Sequence, residues 1–242
     1  MKRQNLRKGI LILSFLLLPI TQFYFSPFLI MMGLSENLVN GSFIVFAALF
    51  SGAMFFGRAF CGWIMPCGGI QEICFAVKDK KVSQRTNWIK WVIWFPWIIL
   101  MIVTAIRAGG IFRIHFFYQV ENGISISFPW QYIIYYTVIF LFLLLSLTVG
   151  KRASCHVACW MSPFMILGKK VSRLIHLPSL RLKADSKNCI SCRQCEKSCP
   201  MSLNVPEMVK SGKINHNECI LCGACADICP KKVISFSFGT KN

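Results

Sequence analysis

The sequence predicts a membrane all-α four-helix bundle, built of two hairpin repeats, followed by a small α+β domain organised by cysteines. Three observations predict this architecture. The 242-residue chain is 55% hydrophobic and only 15% charged, which is more apolar and less charged than an average soluble protein. Long uncharged runs occupy the chain up to residue 150, and most of the 13 cysteines lie after residue 188.

Four segments have the length of about 20 mostly apolar residues that a membrane-spanning helix requires. They are residues 9–32, 41–60, 88–107 and 130–150. The basic N-terminus before the first segment resembles a signal peptide. However, the apolar run is longer than the roughly 7–15 residues of a signal sequence, and no small-residue cleavage site follows it. We therefore expect the first segment to be retained as a span.

The distribution of basic residues predicts how the spans are oriented, because Lys and Arg resist translocation. Of the 27 Lys and Arg residues, only Arg107 and Arg113 lie in loops expected on the outside. Both termini are therefore predicted to be cytoplasmic, in a multi-pass protein of the inner (cytoplasmic) membrane. The net charge of +18 does not predict a nucleic-acid partner. The basic residues lie between long apolar runs and do not form one basic face.

The four spans contain an internal repeat. The second span ends in residues 57–61 (GRAFC), and the fourth ends in residues 150–155 (GKRASC). An apolar stretch with Trp and Pro follows each motif. The sequence therefore predicts a transmembrane domain over residues 1–168, in which two helical hairpins each deliver a cysteine-bearing turn to the cytoplasmic face.

Residues 169–183 are predicted to be a basic connector between the membrane domain and the tail. The segment carries five basic residues: Lys169, Lys170, Arg173, Arg181 and Lys183. Contact with anionic lipid headgroups is the role expected of such a segment.

The tail, residues 184–242, contains the pattern Cys-x2-Cys-x2-Cys-x3-Cys-Pro twice. Three cysteines at this spacing bind one [4Fe–4S] cluster, while the fourth reaches the other cluster. The expected ligand sets therefore cross over, with Cys189, Cys192, Cys195 and Cys229 in the first set and Cys219, Cys222, Cys225 and Cys199 in the second. Tetrahedral zinc is the alternative for paired CxxC motifs, but the doubled pattern ending in proline fits zinc spacing poorly.

Four further cysteines lie on the two membrane-face turns: Cys61, Cys67, Cys155 and Cys159. Four thiols suffice for a third cluster or metal, and we expect Arg58, Lys151 and Arg152 to lower their pKa toward thiolate. The alternative is that they are structural, because cysteine is among the most frequently buried residue types. Cys74 has no comparable partner and is expected to serve packing.

The positions of the histidines predict that no haem is bound. None of the four His residues lies within a predicted span, so a haem held by two histidines between helices is not expected. His156 directly follows Cys155, which is not the C-x-x-C-H order of haem attachment.

Residues 184–232 resemble a bacterial-type two-cluster ferredoxin. The spans followed by this module resemble, over nearly the whole chain, the ferredoxin-type membrane subunit of the periplasmic nitrate reductase system. Residues 57–66 (GRAFCGWIMP), with Gln71 and Glu72, match the membrane motif of that wider family. The family also includes the polyferredoxin factors of nitrous-oxide reductase and of cytochrome-oxidase assembly.

The chain departs from the family's Cys-x3-Cys-Pro turn at two places. Met65 precedes Pro66, with Cys67 one residue beyond, and Trp160 follows Cys159 where the family has proline. The resemblance implies a membrane-anchored iron–sulfur protein that passes single electrons between a cytoplasmic redox protein or reductase subunit and the membrane, where the quinone pool or a membrane-associated reductase is the other partner. The alternative function is that of a redox maturation factor for a respiratory metalloenzyme.

Overall fold

A computed structural model describes residues 2–110 and 113–240, so Met1 and the last two residues of the predicted tail domain lie outside the described residues. The helices are α1 (Lys2–Leu16), α2 (Leu18–Thr21), α3 (Pro27–Ser35), α4 (Gly41–Phe56), α5 (Ala59–Trp63), α6 (Pro66–Ile73), α7 (Ile89–Arg107), α8 (Gln131–Thr148), α9 (Ala153–Val157), α10 (Met161–Leu174), α11 (Gln194–Lys197), α12 (Val205–Lys210) and α13 (Ala224–Asp227). Short 3-10 turns cover Gln22–Phe25, Cys74–Ala76 and Gln84–Trp88. The strands are β1 (Leu38–Asn40), β2 (Arg113–His115), β3 (Ser179–Ala184), β4 (Lys213–Ile214) and β5 (Ile234–Gly239).

Two helices are long and apolar enough to cross a membrane, by length and composition. They are Gln84–Arg107, which contains α7, and α8, and they coincide with the third and fourth predicted spans. Large apolar side chains such as Ile99, Ile106, Ile133 and Phe140 project outward from them. An apolar surface of this extent is not found on ordinary soluble monomers, and it indicates association with a membrane.

The prediction of four continuous spans is not confirmed. The first segment is divided between helices, and α1 meets the unit that follows it at a bend of 59°. Pro19 and Pro27 lie in the first turns of α2 and α3, where proline is tolerated because the first helical N–H groups have no intrahelical partner. The number of candidate spans rises to three only if the two bent segments, Lys2–Leu16 and Leu18–Phe25, are counted together as one span.

The second predicted span forms α4, which has 16 residues. At about 1.5 Å per residue this helix is about 24 Å long, short of the roughly 30 Å hydrocarbon core. It ends at Gly57, whose φ of 55° is the left-handed conformation that glycine adopts without steric cost.

The two predicted repeats pack against each other. After the first cysteine turn the chain returns as α6, which packs along α1 of its own repeat and also contacts α8, whereas after the second it returns as α10, which packs along α4. The contact of α10 with α4 is close, since a Cβ atom at Gly168 would lie 2.5 Å from the carbonyl oxygen of Phe50. Each returning helix therefore contacts an apolar helix of the other repeat, and this brings the two cysteine turns together.

Two loops meet at the opposite end of α4 from the cysteine turns. Strands β1 and β2 pair in parallel, with Leu38 opposite Arg113 and Asn40 opposite His115. Because β1 leads directly into α4 and α4 leads to the turn of Cys61, the strand pair and the turn are separated by the length of that helix.

The tail forms a three-stranded antiparallel sheet in the order β4-β3-β5, surrounded by short helices. The predicted connector contributes the end of α10 and most of β3. The hydrophobic core of this module includes Leu182, Val209 and Ile234, and it continues without interruption to Cys61 and Cys155 of the membrane-face turns. The tail is therefore packed onto the helices.

Candidate metal centre

The second cysteine set lines one cavity of the tail. Cys199, Cys219, Cys222 and Cys225 surround it, and all but Cys199 are buried. The other lining residues are apolar or lack a functional side chain: Leu182, Pro200, Met201, Leu203, Val205, Met208, Ile214, Ile220 and Gly223. Four soft thiol ligands in a shell without a competing polar side chain fit an iron–sulfur cluster.

The first cysteine set lines a second, more polar cavity. Cys189, Cys192, Cys195 and Cys229 surround it, together with the side chains of Arg193 and Lys231. Cys192 is exposed, whereas the other three are partly buried. The two cavities therefore offer different surroundings to the same ligand chemistry, one at the surface and one in the core.

Two short helices carry the fourth cysteine of each motif across to the other cavity. Helix α11 begins just before Cys195 and leads to Cys199, and α13 begins just before Cys225 and leads to Cys229. Both helices begin after a residue in the left-handed conformation, Arg193 with φ 57° and Gly223 with φ 74°. Glycine is needed at residue 223 because a Cβ atom there would lie 2.9 Å from the ring of Phe236.

The membrane-face cysteines are also brought together. Cys61, Cys67, Cys155 and Cys159 are all buried. The amide of Gln71 lies between the turns, donating to the carbonyl oxygen of Cys67 at 2.9 Å and approaching Sγ of Cys155 at 3.8 Å. The Sγ atom of Cys61 lies 3.3 Å from Sδ of Met165. Cys74 is buried as well but stands apart, in the 3-10 turn after α6.

The lowered pKa values expected for these cysteines are not found at Cys61, Cys67 or Cys159, although Arg58 does act to lower the pKa of Cys61 and Cys159. Burial raises the pKa of Cys61 and Cys67, and it raises the pKa of Cys159 to about 12. A negative charge on Cys155 would add to the increase at all three, which reflects how close the four sulfurs are. Loss of hydration outweighs the effect of the guanidinium groups.

Two basic residues of the turns, Arg58 and Arg152, are instead paired with buried carboxylates, whereas Lys151 pairs with the exposed Asp79. Glu218 accepts from Nη1 of Arg58 at 2.6 Å and from Nζ of Lys90 at 2.6 Å. Glu72 accepts from Arg7 and Arg152, each at 2.5 Å. Arg58 and Lys90 lower the pKa of Glu218 to about 2 against the opposing effect of burial.

Glu218 is a residue of the site that the sequence interpretation missed. It immediately precedes Cys219 and is one of only nine acidic residues in the chain. An acid next to a cysteine motif in so basic a protein was the available signal. Through its ion pairs with Arg58 and Lys90, Glu218 joins the cysteine loop of the tail to the turn of Cys61 and to α7.

Several buried polar atoms around the membrane-face cysteines have no hydrogen-bond partner within the described residues. They are Nε and Nη2 of Arg58, Nε of Arg152, Oε1 of Gln71, Oγ of Ser154, Oγ of Ser162 and Nε2 of His156. Buried polar groups are rarely left unpaired in native proteins. Most of these atoms are hydrogen-bond donors, so their surroundings suit an anionic group with many acceptor atoms.

Neither the tail cysteines nor the membrane-face cysteines lie close enough together to hold a single metal ion. Across residues 2–110 and 113–240, no group of three His, Cys, Asp or Glu residues has that geometry.

The tail and the turns meet through backbone contacts close to the second cysteine set. The indole N–H of Trp63 donates to the carbonyl oxygen of Leu221 at 3.1 Å. At Gly62 a Cβ atom would lie 2.3 Å from the carbonyl oxygen of Ile220. Arg152 donates to the carbonyl oxygen of Cys61 at 2.7 Å. The second cysteine set of the tail therefore lies next to the membrane-face cysteines.

Cysteine-lined apolar cavities on a small α+β module, packed onto apolar helices, define a ferredoxin-like iron–sulfur protein associated with a membrane. Residues 188–234 match the family described as the 4Fe-4S dicluster domain, and residues 41–83 match the family described as the 4Fe-4S binding domain. The predicted resemblance to membrane ferredoxin-like proteins is confirmed by these matches and by the relatives below.

An uncharacterized protein of Methanocaldococcus jannaschii, MJ0749, is 27% identical over 198 residues, which cover 77% of this chain and 67% of the relative. The putative electron transport protein YccM of Escherichia coli K12 is 22% identical over 223 residues, covering 83% of this chain and 58% of its own. Protein NirI of Paracoccus denitrificans is 25% identical over 200 residues, 76% of this chain but only 26% of NirI. No solved structure matches the chain. Together the matches indicate iron–sulfur electron transfer.

Proposed function

We propose that this protein is a membrane-anchored electron-transfer protein that passes single electrons between a cytoplasmic redox partner and an acceptor at the membrane. One observation carries the proposal. Three adjoining groups of cysteines lead from the exposed Cys192, through the buried second set of the tail, to the turns between the apolar helices.

The ligand assignment follows the two cavities. Cys189, Cys192, Cys195 and Cys229 hold the first [4Fe–4S] cluster, and Cys199, Cys219, Cys222 and Cys225 hold the second. The clusters supply one-electron chemistry when bound. The chain itself fixes where they lie and how much water reaches them, and these two factors tune their reduction potentials.

The membrane-face cysteines are assigned to a third cluster site. Three features support this: the four buried thiols of Cys61, Cys67, Cys155 and Cys159, the unpartnered donor groups around them, and the match of residues 41–83 to a 4Fe-4S binding domain. The buried cations Arg58 and Arg152 lie beside these thiols and would stabilise the negative charge of a thiolate-bound cluster.

The cytoplasmic partner is proposed to dock where Cys192 reaches the surface. Lys187, Lys231 and Lys232 line the groove beside Cys189, together with the single carboxylate of Asp185, and the three lysines form no salt bridge with the described carboxylates. Free positive charge around an exposed redox centre attracts a partner with an acidic surface and accelerates its association. The membrane acceptor is the quinone pool or a membrane-associated reductase.

The test uses the double variant Cys61→Ala/Cys155→Ala of the full chain, purified anaerobically and placed in liposomes. Wild-type protein is expected to carry about twelve iron atoms, about four per cluster. The variant should lose about four and should no longer transfer electrons from a reduced viologen dye to a quinone analogue, while the reduced tail clusters keep their EPR signals.

Cys74→Ala is the matched control, because Cys74 is equally buried but lies outside the four-thiol group. It should retain both iron and transfer. Full iron content and full transfer in the double variant would make the four thiols structural and confine the site to the tail. Bound zinc without an EPR signal in wild-type protein would overturn the entire assignment.

A further inference from the structure

A basic cleft separates the end of α10 from the sheet of the tail. Its volume is about 440 Å³. Five cationic side chains line it, Lys169, Arg173, Arg181, Lys183 and Lys213, and His176 lines it as well. No Asp or Glu of the described chain is among the lining residues. Cys219 of the second cysteine set also lines the cleft, so the positive charge of the cleft lies next to that set.

Among the described residues, the cations of the cleft that form hydrogen bonds donate them to neutral groups. Lys169 donates to the carbonyl oxygen of His216 at 2.8 Å, and Arg173 donates to the side-chain oxygen of Asn215. Arg181 donates through one terminal nitrogen to the carbonyl oxygens of Gly239 and Thr240. This differs from the site above, where buried cations are paired with Glu72 and Glu218.

Two polar atoms at the cleft have no partner within the described residues. The Oγ atom of Ser172 belongs to a side chain that is only 1% exposed, and Nε of Arg181 is buried. Both residues line the cleft. Buried polar groups of native proteins are rarely left without a partner, so a ligand that accepts hydrogen bonds from these two groups would bind more tightly.

Apolar residues lie next to the basic wall. Leu177 and Leu180 line the cleft, and Leu174, Ile175 and Phe238 beside it are exposed. Helix α10 packs along the apolar helix α4, so this apolar rim continues the membrane-associated part of the molecule. A ligand with a compact anionic head and an apolar tail would satisfy both parts of the cleft.

We propose that the cleft binds a phosphate group, which bridges Arg173 on α10 and Arg181 on β3. Guanidinium groups bind phosphate through paired, charge-assisted hydrogen bonds. The phosphate comes from an anionic phospholipid headgroup or from free phosphate, and both present the same oxygen atoms to the arginines. The bridge ties the tail to the helices.

The test titrates the detergent-solubilised full chain by calorimetry with short-chain phosphatidylglycerol, short-chain phosphatidylcholine and inorganic phosphate. One saturable site per chain for phosphatidylglycerol, with none for the zwitterionic lipid, identifies the lipid headgroup as the source. Saturable binding of inorganic phosphate alone identifies free phosphate. The variant Arg173→Gln/Arg181→Gln should weaken binding about 100-fold, since each charge-assisted hydrogen bond contributes about tenfold.

Two further variants keep the test decisive. Lys170→Gln removes the same charge from the same helix, but Lys170 lies over the ring of Trp91 and not in the cleft, so binding should be unchanged. Ser172→Ala keeps every charge and removes a hydroxyl that has no protein partner, so it should weaken binding several-fold without lowering the melting temperature. The proposal fails if no probe binds at a single site, or if Lys170→Gln weakens binding as much as the arginine variant.

Discussion

Glu218 is the residue on which the attachment of the tail most depends. Its side chain is almost fully buried and pairs with Arg58 and Lys90, which are themselves fully buried. Arg58 follows the end of α4, and Lys90 lies in α7. Because a buried charge without a partner is destabilising, loss of the Glu218 carboxylate would leave both cations buried and unpaired.

Replacing Glu218 with Gln should destabilise the protein by about 3–5 kcal/mol, the usual cost of removing one member of a buried ion pair. Thermal unfolding in detergent, followed by tryptophan fluorescence, measures the loss. Glu207→Gln is the control, since Glu207 is exposed and forms no salt bridge among the described residues. A shift no larger than that of Glu207→Gln would show that the ion pairs do not hold the tail in place.

Gly62 sets how closely the tail approaches the cysteine turn. A Cβ atom at this position would lie 2.3 Å from the carbonyl oxygen of Ile220, and a contact so short forces the backbones apart. Gly62→Ala should therefore cost about 1–3 kcal/mol, as overpacking does, and should increase cleavage of the tail by a protease.

Gly52→Ala is the matched control for this prediction, because a Cβ atom at Gly52 meets no atom within 4 Å. In the middle of α4, alanine should be neutral or slightly stabilising. Equal protease sensitivity of the Gly62 and Gly52 variants would contradict a tight interface at the cysteine turn.

At the scale of elements, the short helices α11 and α13 determine which cysteines share a cavity. Each is a single turn that contains the third cysteine of its motif and ends before the fourth. The fourth cysteine consequently lies in the cavity of the other motif. The motif that is continuous in sequence is thus divided between two sites in space.

Combined variants test this crossing of the ligand sets. Cys199→Ser should remove the iron held with Cys219, about four atoms per chain. Adding Cys219→Ser should then cause no further loss, whereas adding Cys192→Ser should remove the iron of the first set as well. Iron analysis of the three proteins gives the answer. The opposite pattern, with a further loss only for Cys219→Ser, would mean that each motif binds its own cluster.

At the scale of the whole molecule, the contacts of α6 with α1 and α8 and of α10 with α4 bring the cysteine-bearing segments together at one end. The cysteine turns and the tail lie there, while the paired strands β1 and β2 lie at the other end of α4. Those strands belong to the loops that contain almost no basic residues. The end of the molecule that carries the cysteines is therefore also the end that carries most of the basic residues.

Reporter fusions should distinguish these two ends. Fusions after residues 40 and 120 are expected to report an outside location, and fusions after residues 80 and 242 a cytoplasmic one, because basic segments resist translocation. Paired alkaline phosphatase and green fluorescent protein fusions provide opposite readouts at each position. A cytoplasmic signal after residue 40 would indicate that α1 to α4 lie along the membrane surface without crossing it.

The sequence by itself determined the ferredoxin-like class and the two apolar helices around residues 88–107 and 130–150. Cysteine spacing and apolar length are local properties, and they depend on few residues at a time. The tertiary structure decided that Arg58 and Arg152 of the turns pair with Glu218 and Glu72, where the sequence predicted lowered thiol pKa values. It also divided the first predicted span at Pro19 and Pro27 and placed α10 along α4 of the other repeat. Contacts such as Arg58 with Glu218 join residues 160 positions apart, so no local pattern could predict them.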